Sequence, residues 1–250
     1  AMSGFLGSGR VYVNRKVGSV YQGFVPIGNA TKFEIKENSE KKERISKDKA
    51  NYGSALNTVF IKKPAEINIT LDDLDKDNLA LVFLGNTSAV SVAGSTVIDE
   101  AATGYKDKIF QTAKRKISSV VLTDAAGTTT YVLNTDYAIT DAELGLIKVL
   151  TAGAITDGQA LKIDYTYGGK TSNKVAGGTN SNIIMKVLFD GVNQADQTKA
   201  EVNVWEAVLS PQSGVDFLAD DFTSLELSGI ANVPTGGTEA YTVELDVTYT

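Results

Sequence analysis

Asp73, Asp75 and Asp77 occupy alternate positions in the run DDLDKDN, a spacing that can turn several carboxylates toward one hard cation. A calcium loop starting at Asp73 would need Gly at its sixth position and a carboxylate at its twelfth. This chain has Asn78 and Leu84 there, so helix capping is the better account of the three aspartates. A second acidic group, Asp216, Asp220 and Asp221, has the residue types for acid and base work on a glycosidic bond. Only a fixed separation in space makes such a pair, and in sequence the group reads as a polar loop. GSGR at 7–10 and Gly177-Gly178 lack the continuation of a phosphate loop and read as turn and linker glycines. Lys114, Arg115 and Lys116 form a basic run short enough to be a solvated patch.

The residue types that are missing narrow the chemistry further. The 250 residues include no cysteine and no histidine. Disulfides, thiolate chemistry and cysteine-ligated zinc are therefore excluded, and the usual general base near neutral pH is missing. A reaction here would have to run on carboxylates, Lys, Tyr, Ser or Thr, and the expectation is a protein that is not an enzyme, with no cofactor and no metal. A net charge of −6 and a pI near 4.8 argue against a grip on nucleic acid through its phosphates. The longest apolar run, LALVFLG at 79–85, falls far short of the ~20 residues that a membrane helix needs. The start, AMSGFLGSGRVYV, has no basic segment followed by an apolar one, and Ala1 ahead of Met2 reads as an expression remnant. Synthesis in a cytoplasm is expected.

The elements that must position these groups are mostly strands. Phe33 and Ile35 alternate with Lys32, Glu34 and Lys36, and Ile67, Ile69 and Leu71 alternate with Glu66, Asn68, Thr70 and Asp72. Leu161, Ile163, Tyr165 and Tyr167 repeat the pattern, as do Val243, Leu245, Val247 and Tyr249. Strands wet on one face belong to antiparallel sheets, which predicts a mainly β protein, a sandwich or barrel. One short helix is expected at about 75–84, capped by Asp75, favoured by Asp77 in its first turn and stopped by Gly85. From 116 to 169, short strands and turn signals (Ala126-Gly127, Asn134-Thr135-Asp136, Asp157-Gly158) predict a small inserted all-β module of immunoglobulin-like kind. The main domain is then discontinuous, 3–112 with 183–250.

Between two of the strands lies SEKKERISKDKANYG, residues 39–53. Lys41, Lys42, Arg44, Lys47 and Lys49 oppose Glu40, Glu43 and Asp48, a local excess of positive charge in an acidic chain. The composition suits neither a core strand nor a flexible tether. It suits a projecting arm that docks on a surface of mixed charge, where orientation matters more than raw affinity.

The order of these parts is G-x-V-Y, FVPIGNATKFEIK, the charged arm, a strand, DKDNLALVFLG, then VLFDG and NVWEAVLSP. It resembles the major tail tube proteins of long-tailed bacteriophages over most of the chain outside 116–169. The resemblance implies a virion protein, synthesised in the host bacterial cytoplasm, that self-assembles into hexameric rings stacked as a hollow tail tube. It implies that the arm reaches a neighbouring subunit or ring and that DNA passes through an acidic lumen without specific binding. Further implied partners are the tail initiator, terminator and tape-measure proteins, with no membrane. Glu201, Glu206, Glu226, Glu244 and Asp246, on the wet sides of C-terminal strands, become candidate lumen residues. The alternative is a carbohydrate- or cell-surface-binding sandwich, with Tyr165, Tyr167, Tyr241 or Trp205 as a stacking platform.

Overall fold

The computed structural model describes residues 4–248, so Tyr249 and the Ala1-Met2 start lie outside the described residues. The chain divides into two compact units, one made of residues 1–88 with 175–250 and the other of residues 89–174. Sequence placed the junction at 112–116. The structure moves it to 88/89, so the segment 95–111 belongs to the inserted unit.

The first unit opens with β1 (Gly7–Val17), β2 (Val20–Tyr21), β3 (Val25–Pro26), β4 (Ala30–Ile45), β5 (Ala55–Leu71) and the helix α1 (Lys76–Val82). β6 (Asn86–Val92) leads out of it. The inserted unit holds β7 (Ser95–Gly104), β8 (Ile109–Gln111), β9 (Ile117–Asp124), β10 (Thr130–Tyr131), β11 (Tyr137–Asp141), β12 (Leu146–Val149) and β13 (Gln159–Tyr167). β14 (Lys170–Ala176) leads back and pairs with β6. The first unit then resumes with β15 (Ile183–Asn193), β16 (Lys199–Pro211), β17 (Leu225–Ala231) and β18 (Tyr241–Leu245).

Nine strands of the first unit form one antiparallel sheet, in the order β2-β1-β15-β16-β17-β5-β4, with β18 on β16 and β3 on β1. β16 shares its second edge: Ala207–Pro211 pair with β17, and Ala200–Val204 with β18. Phe33 of β4 and Phe189 of β15 lie far apart in strand order, yet their rings meet at 5.7 Å. The sheet therefore curls, and it stops short of closing into a barrel. Ile67, Ile69 and Leu71 turn inward with Val11, Val13, Met185, Val187, Val204, Leu225 and Leu227, joined by Leu81 and Val82 from α1. Each such side chain contributes roughly 1.5–3 kcal/mol on burial.

Local rules account for α1 and its ends. Asp75 caps it, accepting hydrogen bonds from the Asp77 and Asn78 amides at 2.9 and 2.7 Å. At the other end the left-handed residue is Leu84, at φ 49°, rather than the expected Gly85. The Leu84 amide donates to the Leu81 carbonyl and the Gly85 amide to the Ala80 carbonyl, a Schellman ending that satisfies the last carbonyls. Gly85 is needed for closeness instead, since a Cβ there would stand 3.1 Å from the Ala176 carbonyl carbon. The β18 alternation also stops early, because Asp246 turns to φ 56° before Val247.

GSGR proves to be strand and not turn. Gly9 lies within β1, and a Cβ on it would stand 2.7 Å from the Gly191 Cα of β15. The glycine lets two backbones pair closely.

In the inserted unit, a four-stranded sheet (β10-β9-β13-β7) and a three-stranded sheet (β11-β12-β8) enclose a separate core. Leu122, Tyr137, Ile147, Ile163 and Tyr165 are among its members. The Tyr137 hydroxyl donates across the layers to the Val120 carbonyl at 2.9 Å. Among the described residues no helix is long and apolar enough to cross a membrane.

Candidate assembly surface

The sequence between the two early strands is largely strand itself. β4 continues through Glu40–Arg44, and β5 begins at Ala55. Paired residues are Glu40 with Ile61, Lys41 with Phe60, Lys42 with Val59, Glu43 with Thr58 and Arg44 with Asn57. The projecting element thus spans 39–63, and its second leg, LNTVFIKK at 56–63, was missed by the arm boundaries of 39–53. β17 pairs with β5 only from Glu66 onward. Residues 55–63 run beyond that partner for roughly 30 Å at ~3.3 Å per residue.

The tip is a defined turn. Amides of Ser46 and Gly53 donate to the carbonyls of Ser54 and Ser46 at 2.8 and 3.0 Å. The Ser46 hydroxyl donates to Asn51 Oδ1 at 2.6 Å, and Asp48 accepts from the Ala50 amide at 2.8 Å. Gly53 takes φ 87°, and Lys47 Nζ lies 5.5 Å from the centre of the Tyr52 ring.

Directly opposed residues share a face, so each face of the hairpin sets charges on β4 beside apolar side chains on β5. One face carries Lys41 and Glu43, which pair with each other, next to Phe60. The other carries Glu40 and Lys42, also paired, next to Val59 and Ile61, and Lys63 reaches Glu40 at 2.7 Å. Hydrogen bonds from Lys42 and then Lys63 hold the Glu40 carboxyl below the usual carboxylate range. Phe60 is 66% exposed, Val59 52% and Leu56 50%. A ribbon two strands wide has no sheet face to bury them, and such ribbons are marginal alone.

The candidate lumen residues divide. Register places Glu201, Glu206, Glu226 and Glu244 on the sheet face turned away from the core, while Asp246 lies past the end of β18. Asp190, Glu201 and Glu244 stand opposite one another on β15, β16 and β18. That face is of mixed sign: Lys16 meets Glu206 at 3.5 Å, Lys199 meets Asp190 at 3.3 Å and Lys36 meets Glu66 at 3.6 Å. The Tyr21 hydroxyl also donates to Glu206, at 3.3 Å. The acidic row is therefore local to three strands.

The remaining candidates fall in different places. No cluster of three potential metal ligands occurs among the described residues. Asp73 instead accepts from the Asn29 amide at 2.7 Å. Asp216, Asp220 and Asp221 are exposed in the connection between β16 and β17. Tyr165 is buried, with its hydroxyl donating to Glu100 at 2.5 Å, so it offers no stacking surface. Desolvation and that bond push its hydroxyl up to about 12. Tyr167, Tyr241 and Trp205 are half-buried.

Fold and surface together define an antiparallel, mainly β protein with an inserted second β unit and a long uncovered hairpin. The chain belongs to the family described as "Protein of unknown function UCP028589", matched over residues 4–235. Comparison with curated proteins gives no match.

Proposed function

We propose that the protein is a non-catalytic structural subunit that self-assembles, through its hairpin, into stacked rings forming the hollow tail tube of a bacteriophage. DNA passes through that tube in transit. The observation that carries the reading is the hairpin: two strands wide, reaching past its sheet, with Val59, Phe60 and Leu56 uncovered. Such an element gains its missing contacts from another molecule, and identical molecules supply them repeatedly. Mixed charges along β4 set register and resist wrong partners. The resemblance in sequence order supplies the tube, the hexameric ring and the virion setting. Of the candidate lumen residues, Glu201, Glu226 and Glu244 lie on the outer face, where like charge would repel DNA.

The test is negative-stain microscopy with light scattering across a concentration series, using the full chain and a shortened hairpin. Replacing Glu40–Ile61 by Asn-Gly joins the paired residues Ser39 and Lys62 through a tight turn. The full chain is expected to form rings or uniform tubes, and the shortened chain to keep its melting temperature and form neither. Normal tubes from the shortened chain would remove the hairpin from stacking. A monomer at every concentration counts against self-assembly itself.

A further inference from the structure

The connection Gln212–Ser224, between β16 and β17, carries Phe217, Leu218 and Phe222, which are 74, 90 and 97% exposed. Single apolar residues on a surface need no explanation, but three within six positions make a patch. The segment is anchored from behind. Val215 packs against the core, Phe217 lies 6.2 Å from Phe83 at the end of α1, and the Glu226 amide donates to Ser213 Oγ at 2.9 Å. The loop contains three aspartates and no cation, whereas hairpin residues 39–63 carry seven cations against three anions. Both surfaces are thus apolar, and they are opposite in charge.

Their placement on the sheet is the second argument. β17 starts at Leu225, opposite Leu71, so the loop sits where β5 ends. The hairpin leaves from the other end of that strand, toward Ala55. Complementary surfaces at opposite ends of one strand cannot satisfy each other within a molecule. They meet when a second copy is displaced along the strand direction, and such a heterologous contact repeats without closing.

The geometry points to the loop Gln212–Ser224 of one copy as the receptor for the hairpin of the next. Its aromatic side chains meet Val59 and Ile61 on one face of the ribbon, and its aspartates meet Lys42, Arg44 and Lys63 of the same face. The inference rests on the tube reading and adds which surface receives the arm.

The absence of native cysteines makes the contact directly testable. Val59→Cys and Leu218→Cys are made in separate full-length chains, mixed under mild oxidation, and the disulfide-linked dimers counted. Mixed dimers are expected in clear excess over the statistical ratio, and a statistical ratio overturns the pairing. Reversing the loop charges (D216K, D220K, D221K) should lower both cross-linking and assembly by about ten-fold, the scale of a close charge pair or two. Adding K42E, R44E and K63E in the partner copy should restore them. Tubes without preferential mixed dimers overturn this contact and leave the tube reading standing. Preferential mixed dimers without tubes do the reverse.

Discussion

Asp136 shows how one carboxylate organises a turn that sequence marks only as a turn. It is buried, and it accepts hydrogen bonds from the Val132 and Ala154 amides, each at 2.7 Å. The bonds from Ala154 and then Val132 hold its carboxyl below the usual range. A carboxyl depressed in the folded state stabilises fully above its unfolded value of ~3.9, and that stabilisation is lost as pH falls through the folded value. The inserted unit should therefore lose stability below about pH 4. Calorimetry of Asp136→Asn is expected to show a lower melting temperature at neutral pH and a shallower further loss in acid. Asn134-Thr135-Asp136 was legible as a turn because turn chemistry is local. The role of Asp136 was not, because Ala154 is distant in sequence. Gly9 and Tyr165 were misjudged for the same reason: a close backbone on another strand and burial by another layer leave no mark beside the residue itself.

At the scale of elements, α1 was readable almost to its ends. Asp75→Ala should cost about 1 kcal/mol, through loss of the bonds to the Asp77 and Asn78 amides. Urea denaturation followed by circular dichroism measures this, and no change would mean that packing of Leu81 and Val82 alone fixes the helix. The inward strands were equally readable, since Ile67, Ile69 and Leu71 alternate with polar residues and one side of them is buried. Period-two patterning reports burial, and the outer part of β5 has none on either face. Val59, Phe60 and Ile61 are consecutive and all exposed, so the second leg of the hairpin gave no alternating signal. The charged leg was conspicuous by composition, and the apolar leg that pairs with it was not.

At the scale of the molecule, an inserted β unit was legible from its dense turn signals, and its edges were not. Ser95–Gly104 pairs with β13 along its length, a partnership between segments far apart in sequence that no local composition announces. Residues 89–174 have their own core and internal sheets. Expressed alone, they should give a β-type circular dichroism spectrum and a cooperative thermal transition. A featureless melt would show that the remainder of the chain is needed to hold them folded.

The pairing of β1 with β15 joins residues about 170 or more positions apart, from Arg15 with Met185 to Gly7 with Asn193. On a ribosome adding ~5–20 residues per second, β1 waits on the order of 10–30 s for its partner strand to emerge. The hairpin and the inserted unit consist of neighbouring segments and can fold during that interval. The loop Gln212–Ser224 and the strands β17 and β18 emerge later still, after β15. A nascent chain can thus display its hairpin well before it owns a finished sheet, and under the proposed assembly it offers a hairpin before it can receive one.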